Sequence, residues 1–402
     1  MFKKQEAIRD PIHKWIKISA EEKNLIDSPY VQRLRWVSQL TSVDHVFPGG
    51  THNRFSHSLG VMYLSGKYMK NLFRNTIPSP IDFIEIWKDQ KKYIQIARIA
   101  GLLHDIGHGP FSHAYDHTIY KKIYGLEDGG HDEHRHEIIG EKLEKLIEAC
   151  GVSIEDIHDA WEGCGKNTIY GIIHSVVQGP LGADRMDFTL RDSYNVGMEH
   201  FGTISPQRIL SNCYIHTSRY GNESSMELVY NFKVLEEMIQ ALDGRFRMYD
   251  CVYLHKSVFA SRVLIEAMIE SSYKQLRLVE RTKNLDEFLY INDHTIIGEI
   301  MASDLDIAKE YCKRYLSRDL PKLLSEDIIP DSRDFDPTKY MPTKPGIMIT
   351  TRSVIGVDYT VFEKNNIRFL FDDNIISCEE VLNNINYKPP REPFYYIRVY
   401  EI

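Results

Sequence analysis

Ala97-Arg98-Ile99-Ala100-Gly101-Leu102-Leu103-His104-Asp105-Ile106-Gly107-His108-Gly109-Pro110-Phe111-Ser112-His113 is the stretch on which the reading of this chain turns. Its first half is apolar at helical spacing. Ile96, Ile99, Ala100 and Leu103 share one face of a helix predicted from about Lys91. That helix should end near Gly107, since glycine is the expected residue just past a helix C-terminus. His104 and Asp105 therefore arrive beside a buried face, where a carboxylate is costly without a cation. A His-Asp pair alone says little, because His131-Asp132 and His158-Asp159 repeat it. The former lies in a polar stretch and the latter beside Glu155-Asp156, and both read as solvated.

Working outward, a helix is predicted over roughly His52 to Phe73. His57, Val61, Leu64, Tyr68 and Leu72 follow the i, i+4, i+7 rhythm of one buried face, so His57 points inward. Ser28-Pro29 reads as the start of an earlier helix running to about Leu40, with Val31, Leu34 and Val37 on one face. Pro48-Gly49-Gly50 centres a turn between Val43 and Asn53. Downstream, Phe111 to His136 is polar and His/Gly-rich and reads as a long loop with one short helix. Helices are expected over about Arg135 to Cys150, Thr168 to Gln178 and Ala183 to Ser193, the last beginning at Asp184 after Gly182. Gly221-Asn222 between two β-prone runs marks a hairpin from Tyr214 to Tyr230. Helix should resume from about Asn231 to Tyr273, since no proline falls between Pro206 and Pro321. Past Asp327, Pro330, Pro337, Pro342 and Pro345 cluster, and β-like runs follow at Ile347–Thr351, Ile367–Phe371 and Tyr395–Tyr400. The expected fold class is mostly α, with a helical core over residues 1–326 and a small C-terminal mixed α/β lobe over 327–402.

The chain has 402 residues, 43% hydrophobic and 26% charged, an ordinary globular composition. No run approaches the ~18–20 apolar residues of a membrane span. The start, Met1-Phe2-Lys3-Lys4-Gln5-Glu6, lacks the apolar core of a secretory signal, so a cytoplasmic protein with no membrane partner is expected. Cys150, Cys164, Cys213, Cys251, Cys312 and Cys378 form no Cys-x-x-Cys pair and read as free thiols. A net charge of −8 opposes broad nucleic-acid binding but leaves room for a local basic pocket. Histidine is the unusual component: ten of the 17 fall between His45 and His136. Histidine suits metal ligation and proton transfer near neutrality.

Spacing and context single out His57, His104, Asp105 and Asp184. Two imidazoles and two carboxylates make a mixed N/O site for a divalent metal such as Fe, Mn, Zn, Ni or Mg. They come from three predicted helices, and helices converging on one ion are a common way to build such a site.

These motifs carry a resemblance. Asp10-Pro11-Ile12-His13, Gln32-Arg33-Leu34-Arg35, Val46-Phe47-Pro48-Gly49, His52-Asn53-Arg54-Phe55-Ser56-His57-Ser58-Leu59-Gly60-Val61 and the stretch quoted first all contribute. Ala183-Asp184-Arg185-Met186-Asp187-Phe188 with Arg191-Asp192 adds to them, and Ile397-Arg398-Val399-Tyr400 matches weakly. The chain resembles the HD-domain dNTP triphosphohydrolases, in the branch typified by the sterile-alpha-motif-and-HD-domain protein, in its bacterial form without the sterile-alpha-motif domain.

The resemblance implies an HD-domain helical core and the four-ligand metal site. It implies attack at the α-phosphorus of a deoxynucleoside triphosphate, releasing deoxynucleoside and inorganic triphosphate. His113, Asp116 and His136 are the implied proton-transfer residues; His113 and Asp116, three apart, can face each other on a helical turn. A carboxylate beside His113 favours its imidazolium form, and a nearby metal opposes it. Arg54, Arg185, Arg245, Lys256 and His108 are implied on the phosphate side. Without the resemblance, Arg245 and Lys256 read equally as a solvated helix face. Gln39, Asp192 and Tyr253 match positions that read the sugar, and a tyrosine at its 2′ face would exclude a hydroxyl. Phe188 stands where the human-type branch has a phosphate-holding tyrosine, and Arg185 where it has a lysine. Asp27, Gln32 and Arg35 match a guanine-nucleotide activator site, with Glu6 in place of its lysine. Assembly as a homodimer or homotetramer is likewise implied. Two alternatives stand beside this reading: an HD-type phosphodiesterase or nucleotidase, and a non-catalytic nucleotide-sensing or nucleic-acid-binding regulator. The full ligand set argues against the second. The chain has no downstream Gly-Tyr-Pro signature of cyclic-dinucleotide HD proteins.

Overall fold

A turn made by Asp10 opens the described chain. Strands β1 (Glu6–Asp10) and β2 (Lys14–Ile18) pair antiparallel around it. The computed structural model describes residues 6–76, 83–126, 129–165, 168–220, 223–330, 347–354, 367–371, 374–384 and 394–401. Helix α1 (Ala20–Ile26) begins at a Ser19–Glu22 capping box. Helix α2 (Pro29–Arg33) begins as expected at Ser28-Pro29 but ends early, after one 3-10 turn at Leu34–Trp36. Val37 is extended and Ser38 bridges Asn53, so the chain doubles back onto the start of the next helix instead of continuing to Leu40.

That next helix, α3 (Arg54–Asn75), is started by Asn53, whose side chain accepts from the Ser56 N–H at 3.1 Å. His57, Val61, Leu64, Tyr68 and Leu72 are all buried, as their spacing predicts. Helix α4 (Ile84–Lys88) leads into α5 (Gln90–Leu103), which packs along α3 to form the centre of the core. Tight turns through His104 to Gly107 end α5.

The His/Gly-rich stretch expected as a loop is mostly helical. It forms α6 (His113–Tyr115), a π-helical turn (Asp116–Tyr120), α7 (Lys121–Tyr124) and α8 (Gly130–Ile138). Polarity misled because the inward face carries polar groups: Asp116, His134 and Arg135 are buried alongside Tyr115, Ile119 and Tyr120. Helices α9 (Glu144–Ala149), α10 (Ile154–Glu162), α11 (Ile169–Gln178) and α12 (Ala183–Asn195) follow, and α12 packs on α3. After α13 (Pro206–Leu210) comes the hairpin of β3 (Cys213–Tyr220) and β4 (Glu223–Asn231). Its turn at Gly221-Asn222 lies outside the described residues. Helices α14 (Leu235–Met248) and α15 (Lys256–Ser272) are joined by a π-helical turn at Tyr249–Tyr253, a break that the expected long helix lacked.

Further helices lie between Leu278 and Leu316 and over Cys378–Asn384, and the fold is mostly α with a small mixed α/β region. Strands β5 (Lys322–Pro330), β6 (Ile347–Val354) and β9 (Phe394–Glu401) form an antiparallel sheet in the order β5-β9-β6. β7 (Arg368–Phe371) and β8 (Asn374–Ser377) extend the earlier hairpin into a second sheet, β3-β4-β7-β8, with β7 parallel to β4. Pro337, Pro342 and Pro345 lie outside the described residues. Among the described residues, no helix is long and apolar enough to cross a membrane.

Gly107 is present for a different reason than helix termination. Its φ is not left-handed, but a Cβ there would lie 2.0 Å from the His131 carbonyl oxygen and 2.7 Å from the Arg135 nitrogen. The glycine lets α8 approach the end of α5. Gly107→Ala should lower unfolding stability in urea by about 1–3 kcal/mol, the usual cost of overpacking. Gly140→Ala, where nothing lies within 4 Å, should leave stability near wild type and serves as the control.

Candidate metal centre and cavity

Three helices bring four groups to one point. α3 carries His57, the end of α5 delivers His104 and Asp105, and the first turn of α12 delivers Asp184. His57 Nε2 lies 3.1 Å from Asp184 Oδ1 and 3.2 Å from His104 Nε2. His104 Nε2 lies 3.3 Å from Asp105 Oδ1 and 3.6 Å from Asp184 Oδ1. The other ring nitrogens are occupied: His104 Nδ1 faces the Gly101 carbonyl at 2.8 Å, and His57 Nδ1 faces Asp187 Oδ2 at 2.8 Å. With Nδ1–H donating in each ring, both Nε2 lone pairs aim at the same space as two carboxylates. This donor set fits a divalent metal, and the Asp187 and Gly101 contacts are the outer partners such ligands require.

The electrostatics agree. Burial disfavours the charged His57 ring, but the hydrogen bonds it donates to Asp184 and Asp187 more than reverse this and push its pKa up to about 10. Burial raises the Asp105 carboxyl, yet Arg54, His104 and His108 hold it well below the usual carboxylate range. Asp184 is lowered in the same way by His104 and His57. Arg54 pairs directly with Asp105, and its Nε donates to Ser112 Oγ at 3.0 Å.

The centre forms the floor of a cavity of about 390 Å³. Among the expected residues, Gln39, Arg54, His108, His113, Asp192 and Tyr253 line it, together with Ser112, Phe188 and Asp132. Leu40, Val43, Leu254, Val258 and Phe259 supply an apolar wall. Asp192 joins the Tyr253 hydroxyl at 2.6 Å to His52 Nε2 at 2.7 Å. Gln39 Oε1 is buried without a hydrogen-bond partner.

One wall holds a carboxylate between imidazoles. Asp116 lies 3.2 Å from His113 Nδ1 and 3.0 Å from His131 Nδ1. Burial raises the Asp116 carboxyl, and the two imidazole hydrogen bonds more than offset that, keeping it ionised. His131 stacks on His108, ring centroids 3.8 Å apart. The burial of His108 holds it neutral, with the Arg54 charge adding to the effect.

The polar context of His131 predicts a solvated ring, whereas the structure turns it inward. The resemblance implies His136 here, but it does not line the cavity. It packs between His158 and Trp161 and lies 3.6 Å from Glu162. Helix geometry explains the exchange: α8 begins at Gly130, so His131 and Arg135 share one face, and the next residue points elsewhere. The signal was available in His131-Asp132, but its polar surroundings hid it.

Other expected residues stand apart from the cavity. Arg245 lies over the Phe188 and Tyr249 rings, 6.0 and 5.7 Å from their centroids. Arg185 is largely buried, which lowers its pKa, and the Arg245 charge lowers it further. Lys256 is exposed at the start of α15. Arg262 lines the cavity instead, paired with Glu266 at 2.7 Å. Asp27 pairs with Lys23 at 2.9 Å on the exterior. Gln32 accepts from Arg35 Nε at 2.8 Å, and Arg35 covers the Phe55 ring. Sequence reasoning assigned no role to His52, Asp187, Arg135 or Arg262.

The family described as HD domain matches residues 54–177. An uncharacterised protein of Methanocaldococcus jannaschii is 29% identical over 73% of this chain and 57% of its own length. A deoxynucleoside triphosphate triphosphohydrolase homologue of Dictyostelium discoideum is 26% identical over 81% of this chain and 61% of its own. The chain thus spans about 57–61% of these curated relatives. A hypothetical protein of Aquifex aeolicus, solved by crystallography, shares the fold with a TM-score of 0.75 at 24% identity, covering 99% of this chain and 96% of that one.

The raised His57 pKa yields a prediction. At pH 7.5, below about 10, the metal-free ring holds a proton that a cation must displace. Calorimetric titration with Mn²⁺ in two buffers of different ionisation enthalpy should show roughly one proton released per ion bound. The release should fade as pH rises through that value.

Proposed function

We propose, from the premise that this chain is a member of the HD-domain family in its dNTP-triphosphohydrolase-like branch, that it is a metal-dependent phosphohydrolase. Its reaction in this reading cleaves a deoxynucleoside triphosphate to deoxynucleoside and inorganic triphosphate. The observation that carries the proposal is the pair of Nε2 atoms, 3.2 Å apart, facing two carboxylates at the floor of the cavity. His57, His104, Asp105 and Asp184 would hold a divalent cation, which supplies Lewis acidity and acidifies a coordinated water.

The chain's own residues supply the rest. Arg54, Arg135 and Arg262 bring positive charge to a cavity that must accept a polyanion. In the cleavage the bond between the α-phosphorus and the 5′ oxygen breaks, and that oxygen needs a proton. Asp116, ionised and buried, is bonded to His131 Nδ1 at 3.0 Å and fixes that ring in the cavity wall, so His131 is the proposed general acid. His113 shares the same carboxylate and belongs to the same relay. The buried amide oxygen of Gln39 is free to accept from a sugar hydroxyl. Tyr253, anchored by Asp192, presents a fixed ring that leaves no room for a 2′ hydroxyl in this reading. Activation by a guanine nucleotide at Asp27, Gln32 and Arg35, and assembly as a homodimer or homotetramer, rest on the resemblance and belong to the proposal. A dGTP-dependent change in activity and oligomer size tests both.

Each dNTP and NTP should be incubated with enzyme and Mn²⁺, Mg²⁺ or Fe²⁺ and the products separated by ion-pair chromatography. Inorganic triphosphate and deoxynucleoside are expected. A nucleoside mono- or diphosphate would mean a phosphodiesterase or nucleotidase, and bound nucleotide without turnover would mean a sensor. His57→Ala and Asp184→Ala should abolish turnover. His131→Ala should lower kcat by about 10²–10⁴-fold, the range for a general acid. His136→Ala should leave kcat near wild type.

A further inference from the structure

The ring of His57 is held from behind by a buried cluster that reaches the N-terminal hairpin. Asp187 is fully buried on α12, one turn beyond Asp184. Its Oδ2 accepts from His57 Nδ1 at 2.8 Å and from Arg191 Nε at 2.8 Å. Its Oδ1 accepts from His13 Nε2 at 2.5 Å and from Arg191 Nη2 at 3.0 Å. Arg191 Nη1 donates to Asp10 Oδ2 at 2.9 Å. The other Asp10 oxygen accepts the backbone N–H groups of Ile12 and His13 at 2.9 and 2.7 Å, which shapes the β1–β2 turn and fixes where His13 stands. Lys14, in the left-handed region at φ 66°, closes that turn.

Four donors saturate the Asp187 carboxylate, so it cannot rotate, and neither can the imidazole bonded to it. Gly60 shows how closely the cluster is fitted. A Cβ there would lie 1.9 Å from Asp187 Oδ1 and 2.6 Å from Arg191 Nη2. The residue one turn after His57 on α3 therefore lacks a side chain where the carboxylate must pass.

We infer that the N-terminal hairpin is a working part of the metal site: His13, seated by Asp10, acts through Asp187 as a positioning residue. It keeps the His57 proton on Nδ1 and its Nε2 lone pair on the ion. This rests on the metal-centre reading of the same site. Outer partners of metal-bound histidines typically govern affinity by 10–100-fold, and here one such partner lies more than 170 residues away in sequence from the carboxylate it braces.

The test is Mn²⁺ titration of the metal-free full chain by calorimetry, with circular dichroism to verify folding. His13→Gln should weaken Mn²⁺ binding by roughly 10-fold and Asp187→Asn by about 10–100-fold. Turnover of His13→Gln should recover at saturating Mn²⁺, with kcat near wild type, because its defect is in holding the ion. A merely structural defect would not be rescued by metal. If Asp187→Asn does not fold, His13→Gln decides. Wild-type affinity in a folded His13→Gln protein would overturn the inference alone. Absence of Mn²⁺ binding by the wild-type protein would overturn the metal reading, and this inference with it.

Discussion

Two imidazole nitrogens lie 3.2 Å apart while the other nitrogen of each ring is engaged on its far side, an arrangement that a positive charge between them would favour. The surrounding charges favour one too. Asp10, Asp105, Asp184 and Asp187 gather around the centre against the guanidinium groups of Arg54 and Arg191. Arg185 and Arg135 also act on Asp184 and Asp105, and a divalent cation would add to the neutralisation of these carboxylates. Without an ion, protonation of His57 supplies part of it, which is the physical reason its pKa rises. The packing of α3, α5 and α12 thus has an electrostatic condition attached: these helices carry carboxylates into the core that must meet positive charge there.

The described residues contain a second group spaced within reach of a metal, His108, Asp116 and His131. Ring geometry separates the two groups. An imidazole binds an ion in its own plane. His57 and His104 are inclined at 79°, so their planes intersect and can share one ion. His108 and His131 are stacked at 18°, and near-parallel planes offer no common point. Asp116 is also already supplied with imidazole hydrogen bonds. The first group's planes can meet on a cation, the second is joined by hydrogen bonds, and the histidines of both line one cavity.

The sequence made the first group legible and the second only in part. His57 was placed by apolar periodicity along α3, and His104-Asp105 by the apolar run of α5; both signals come from core packing, which leaves a strong pattern. The segment from His113 to Ile138 lacks that pattern, because its inward face is built from Asp116, His131, His134 and Arg135 as much as from apolar residues. Hydrophobic periodicity cannot see a helix whose buried face is polar. It therefore read a loop, and the inward turn of His131 was lost with the register of α8. The same blindness hid Asp187 and His13, whose contacts join residues far apart in the chain. The hairpin of β3 and β4 was readable from its turn residues and alternation, whereas its parallel pairing with β7 joins strands with no local signature.

Backbone strain points the same way as the buried charge. Phe111 and Ser112 both hold positive φ, 56° and 51°, where non-glycine residues cost about 1–3 kcal/mol each. Ser112 keeps that conformation while its Oγ accepts from Arg54 and donates to the Ser38 carbonyl, and Phe111 N–H donates to the buried Asp293. Those bonds tie the strained turn to α3, to the Ser38 bridge and to the helix that begins at Asp293. The turn immediately precedes His113 and sets the direction in which α6 brings His113 to the cavity, with the buried Asp116 carboxylate behind it. A chain free to relax there would relieve the strain and lose the alignment of His113 with Asp116. That alignment is therefore fixed by folding itself, which is how polar groups come to be preorganised.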